Sequence, residues 1–399
     1  MTGAVPDVLG LPVEVNMNVL SFALLNSSKD ILNLMLSCKV MYSIFKHNRT
    51  SILLAFLSQM DPKELAIATA HYHATIALWT FPKDLEPISK DQTDYVRKIA
   101  EFCERHLSKQ GTELRVPFHE FTLPMVAHIR DIHFTIRRIA TEVTPKIICS
   151  TKEWPSPSPV EMTRISKSLY IMDLVGLLLL KTPFTVEQHE SSDMSKRDLA
   201  FSKFWSYFAP WETEQVAIVF ETLYHMILLC PGSQLGGSNL SADLRFLAWK
   251  GMKGLDHVIR NGVSEDDKLL HSLLRTDPHR GVIREIPCDS LAHWLEGSFH
   301  DATLLRKIIE RYDADIGNES ARVLLCRCAG LAISGKPLCD QPLSDISPWN
   351  NNWKLGTKGG WPIFFDLDHL LVITEGRLPT LTHLIELIPE QRGFQWYGA

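Results

Sequence analysis

What this chain of 399 residues lacks narrows the field first. It has no long hydrophobic run. The greasiest stretch, Leu169 to Leu180, is about a dozen residues and carries Asp173, whereas a membrane span needs about 20 apolar residues. It has no excess of positive charge: 41 Lys and Arg stand against 46 Asp and Glu, for a net charge of -5. Nucleic acid and anionic membrane surfaces call for a basic footprint, so neither is expected as a partner. No basic segment precedes the first apolar run, and no lipidation signal is evident, so no secretory leader or lipid anchor is expected.

The eight cysteines (38, 103, 149, 230, 288, 326, 328 and 339) are scattered rather than framed for disulfides. They read as free thiols in a reducing setting, cytoplasmic or nuclear. Cys326, Cys328 and Cys339 lack the fourth ligand of a structural zinc site. His71 and His73, two apart on a helix, point to different faces and make poor joint ligands. No metal and no cofactor is expected. No GxSxG elbow, HExxH helix, dinucleotide-binding glycine fingerprint or kinase set occurs, and no nucleophile, base and orienter are spaced as a group, so the chain is not expected to be an enzyme. No period of 20 to 50 residues marks a repeat architecture.

What is present is a composition of 45% hydrophobic and 22% charged residues, that of a globular domain, and many segments of helical period. The fold class expected is all-α. The most specific stretch runs from Leu9 to Arg49. Leu11-Pro12 opens it, with proline suited to a first turn and Glu14 placed at the positive end of the helix dipole. Val15, Val19 and Phe22 recur at i, i+4 and i+7 on one face. Ser27 can cap the next helix, with Asp30 three residues on. Ile31, Leu34 and Met35 give a second apolar face. A bend is expected at Ser37 and Cys38, and Met41, Tyr42 and Phe45 give a third face. Three short helices cannot bury this much apolar surface alone, so the unit must lean on the body, on a partner, or on both.

Four pieces of this stretch (Leu11-Pro12-x-Glu14, Val19-Leu20-Ser21, Asp30-Ile31-Leu32-x-Leu34 and Ser37-Cys38-Lys39) resemble, in order and spacing, the F-box in its common fungal form. The resemblance covers about the first eighth of the chain. Asn16 and Asn18 make the first helix more polar than is usual in that family. Ser37 stands where Val is common, and Met41-Tyr42 where Trp is frequent. What the resemblance implies is a three-helix motif that docks on the adaptor Skp1 and, through it, a cullin. The rest of the chain would then recruit an unknown protein substrate for ubiquitination without catalysing anything. Carried over by position, Leu11, Pro12, Val19, Leu20, Ile31, Leu34, Cys38 and Lys39 would lie at or near the adaptor interface. Two other readings stand beside it: an interaction or scaffold protein without ligase assembly, and an enzyme of unrecognised type in the helical body.

The organisation expected is an F-box-like unit at residues 9–49, a helical region at 50–153 packing on it, and a C-terminal helical region at 160–399 that is non-repetitive and able to hold a substrate. The alternating prolines from Trp154 to Pro159 mark the linker between the last two. Asp61-Pro62-Lys63-Glu64 is a strong helix start, and residues 89–107 form the cleanest amphipathic helix. Arg130, Arg137 and Arg138 read as a solvated helix face. Phe201, Phe204, Trp205, Phe208 and Trp211 read as core. The tryptophans at 349, 353 and 361 lie in a long loop, read as a strap over the core or as a binding surface.

Overall fold

A computed structural model of the chain describes residues 10–77, 92–107, 118–148, 156–179, 200–201, 203–208, 210–228 and 251–262. The cysteines beyond 103, the tryptophan-containing loop and the closing segments fall outside these residues. The described residues are all-α, with no strand among them.

The first three helices follow one another tightly. α1 is Val13–Asn26, α2 is Ser28–Ser37 and α3 is Lys39–Leu57. Ser27 ends α1 in an extended conformation and caps α2, its Oγ accepting from the Lys29 N–H at 3.1 Å. Cys38, also extended, makes the bend between α2 and α3. Each helix packs on the other two. Leu20, Leu24, Ile31, Met35, Met41 and Phe45 close the space between them. The expected boundary at residues 49 and 50 lies beside a kink at Asn48, where φ is -116° and ψ is 21°, which divides α3 into two helical segments. Asn48 stabilises the bend by donating from Nδ2 to the Ile44 carbonyl at 3.0 Å.

The body is built on three longer helices: α4 (Pro62–Ala77), α6 (Leu123–Ile147) and α7 (Pro159–Leu178), packed pairwise. α5 (Gln92–His106) lies on α4, and a single 3-10 turn at Phe118–Glu120 meets α3. α8 (Pro210–Leu228) covers α7 and α6, and α9 (Met252–Asn261) covers α6 and α8. The proline boundary at 154–159 therefore does not separate packing units. Ser158 and Pro159 are the cap and first residue of α7, with Ser158 Oγ and the Glu161 carboxylate each bonded to the other's backbone N–H. Asp61 starts α4 as its sequence requires, its Oδ1 accepting from the Lys63 N–H at 2.8 Å. Phe201, Phe204, Trp205 and Phe208 are core.

A helix read from sequence over residues 241–260 is described only from Gly251 on: Gly251, whose φ of 134° and ψ of 146° are open to glycine alone, precedes the start of α9 at Met252. The three arginines of α6 do not form a solvated face. Arg137 Nη2 donates to wholly buried Glu64 on α4 at 2.8 Å. Arg138 makes a two-pronged pair with Asp256 on α9, both bonds at 2.5 Å, and Arg260 joins it at 2.7 Å. Arg130 reaches the corner between α1 and α2. Single-sequence periodicity marks a polar face but not the acidic residues that distant segments bring to it.

Candidate partner-docking surface

The inward face of α1 is Asn16, Leu20, Ala23 and Leu24. The face read from sequence as apolar, Val15, Val19 and Phe22, is a different one: Phe22 is 65% exposed and Val15 39%, and Val19 packs partly against the core. α2 repeats this pattern. Ile31 and Met35 face inward, and one residue further round, Leu32 and Leu36 form an outward pair at i and i+4; Leu36 is 77% exposed. At the start of α3, Val40 and Tyr42 are exposed while Met41 is buried.

Among the described residues, eleven large hydrophobic side chains are exposed, and eight of them lie between residues 11 and 42. Surface apolar residues scattered singly need no explanation, but this concentration makes the stretch the candidate docking surface.

The eight positions named from the family resemblance divide by depth. Leu11, Pro12 and Lys39 are exposed; Val19, Leu34 and Cys38 are half-buried; Leu20 and Ile31 are wholly enclosed. The last two cannot meet a partner as the chain stands, and they hold the outer side chains from beneath. Val15, Phe22, Leu32, Leu36, Val40 and Tyr42 join the surface and were not named for it. The signal was in the sequence: α1 and α2 each carry two apolar stripes, and one helix cannot turn both to the same core.

Asn16 is the other residue that sequence reasoning missed. It is buried, and its Nδ2 donates to the carbonyls of Leu11 at 3.1 Å and Pro12 at 3.4 Å. It thereby fixes the Leu-Pro approach to α1, whose first N–H groups no side chain caps.

A second cluster, inside the body, has the composition an enzyme would use. His71 of α4 lies between Asp173 of α7 (Nε2 to Oδ2, 2.6 Å) and His128 of α6 (Nδ1 to Nε2, 3.0 Å). A carboxylate only accepts, so Nε2 of His71 donates to it; with His71 neutral, Nδ1 accepts from His128. The other Asp173 oxygen accepts the Met252 N–H at 3.1 Å, which anchors the start of α9. Burial, with His71 and Lys253 acting the same way, brings His128 down to about 4. His133 donates or accepts at Tyr170 OH, 3.3 Å away, and burial brings it too down to about 4. On the other side of α4, His73 stacks on His106 of α5 with ring centroids 4.4 Å apart. Thus His71 and His73 do face different ways.

Asp173 and His71 are buried, and among the described residues no hydroxyl or thiol is hydrogen-bonded to either ring of the His71–His128 pair. No group of three or more candidate metal ligands occurs among the described residues, and no described helix is long and apolar enough to cross a membrane. The geometry is that of core polar groups satisfying one another.

Comparison with protein-family models, with curated proteins and with solved structures finds no match for this chain.

Proposed function

We propose that the chain is a non-catalytic, substrate-recruiting subunit of a Skp1–cullin–F-box ubiquitin ligase. The observation that carries the reading is the outward apolar stripe of α1, together with exposed Leu11 and Pro12, on a unit whose sequence resembles the F-box. In support of the reading, Leu11, Pro12, Val15 and Phe22 are exposed and Val19 is half-buried. The mechanism is proximity: α1 to α3 bury apolar side chains on Skp1, and the helical body holds a protein substrate near a ubiquitin-charged conjugating enzyme. The chain itself transfers nothing. The same surface would serve a scaffold protein with another partner.

Mixing the purified full chain with Skp1 separates the two. Wild-type protein should retain Skp1 in a pull-down, and Leu11→Asp/Pro12→Ala should lose it, because a charge at a desolvated interface centre costs several kcal/mol. Phe22→Asp should behave alike. Folded wild-type protein that fails to retain Skp1 overturns the ligase reading and leaves the scaffold one.

A further inference from the structure

Among the described residues, α2 and α3 of the three-helix unit lie against α6, and α3 also meets the 3-10 turn. At the corner where α1 ends and α2 begins, two adjacent residues of α6 reach across. Arg130 donates to the Leu25 carbonyl from Nη2 at 2.9 Å and from Nε at 3.3 Å, and Nη2 also donates to the Asn26 carbonyl. The last carbonyls of a helix have no partner within it. The Lys29 N–H that would otherwise approach Leu25 is taken by Ser27 Oγ. α1 has no basic residue in its own last turn, so Arg130 supplies from another helix the cation that the negative end of the dipole favours.

Asp131 does the converse. Its Oδ2 accepts from Ser28 Oγ at 3.2 Å, at the first residue of α2 and the positive end of that helix. Arg130 Nη1 and Asp131 Oδ1 are joined at 2.8 Å, and the guanidinium lies over the Phe134 ring, 4.8 Å from its centroid. Phe134 contacts Phe56 on the far end of α3 at 6.4 Å. Arg130 is 11% exposed, which shields its bonds from salt.

Building on the adaptor reading, we propose that Arg130 and Asp131 form a positioning latch that holds the three-helix unit on the body in one orientation. A docked adaptor and a substrate on the body then keep one separation. A planar fork that spans two carbonyls is needed for this, and lysine does not provide one.

The test measures the orientation directly. Spin labels are attached to azide-bearing residues introduced at Asn33 and Glu142, both exposed, because eight native cysteines preclude selective thiol labelling. Electron–electron resonance then gives the distance between α2 and α6 in the full chain, with and without Skp1. Wild-type protein should give one narrow peak. Arg130→Ala should broaden it or add a second, Arg130→Lys should fall between, and Skp1 affinity should be the same for all three. A distribution as narrow in Arg130→Ala as in wild type overturns the latch, as does a broad one in wild type. Should Arg130→Ala fail to fold, Arg130→Lys is read by the same criterion. Loss of Skp1 binding by wild type, with the distances behaving as expected, removes the adaptor reading and leaves the latch standing.

Discussion

Leu20 and Phe22 stand two residues apart in α1 and face opposite ways, one enclosed and one in solvent. Their substitutions should therefore separate stability from binding. Leu20→Ala leaves a cavity under the three-helix unit and should cost about 2–5 kcal/mol in chemical denaturation. Phe22→Ser, at a side chain 65% exposed, should change stability by less than about 0.5 kcal/mol, while on the proposed adaptor reading it abolishes retention of Skp1. Asn16 belongs with neither. Asn16→Leu should keep the helix but free Leu11 and Pro12, with faster hydrogen exchange at the start of α1 as the readout. At this scale the sequence was partly legible. It marked the Leu-Pro opening of α1 and the bend at Ser37 and Cys38, but it could not tell an inward stripe from an outward one, because both have the same period. A buried asparagine next to a proline read only as extra polarity.

Among the elements, α4 is held by histidines on two sides: His71 toward α6 and α7, His73 toward α5. Acid should loosen it. His106, His128 and His133 lie at about 4 and His73 is lowered, in each case chiefly through burial. In the unfolded chain a histidine titrates near 6.5. Between those values the unfolded state binds more protons, so stability is fully present above about pH 6.5 and is lost as pH falls toward about 4. Urea midpoints measured across that window should fall steadily with acidification, and a His106→Phe chain should lose less than wild type.

The Asp173 contact tests the same region from α7. Asp173→Leu strips an acceptor from both His71 and the Met252 N–H, and each buried unpaired donor costs about 1–3 kcal/mol. Gly251→Ala should cost about 1–3 kcal/mol through backbone strain alone, since the added Cβ would meet Asp173 Oδ1 at an ordinary 3.5 Å. The helices themselves were readable from caps and period, Asp61-Pro62 above all. Their mutual anchors were not. Glu64, Asp173 and Asp256 are partners of residues 73, 102 and 118 positions away, and no local pattern in one sequence encodes such a pairing.

At the scale of the whole molecule, the described helices on both sides of the prolines pack on one another. Pro159 opens α7, which packs on α4 and α6. The all-α class was legible because helical period dominates the described segments. The arrangement of α6 as the helix touching both halves was not, because its contacts come from every part of the described chain. The passage of α3 through the bend at Asn48 has a consequence for anyone dividing the protein. A fragment that stops at Arg49 ends just past that bend and loses the second helical segment of α3, with its buried Ile52, Leu53 and Phe56. Such a piece should emerge insoluble or unfolded even though it contains every residue of the motif. A fragment carried through the rest of the described body to Gly262 should stay in solution, and sedimentation of the two after expression would show the difference.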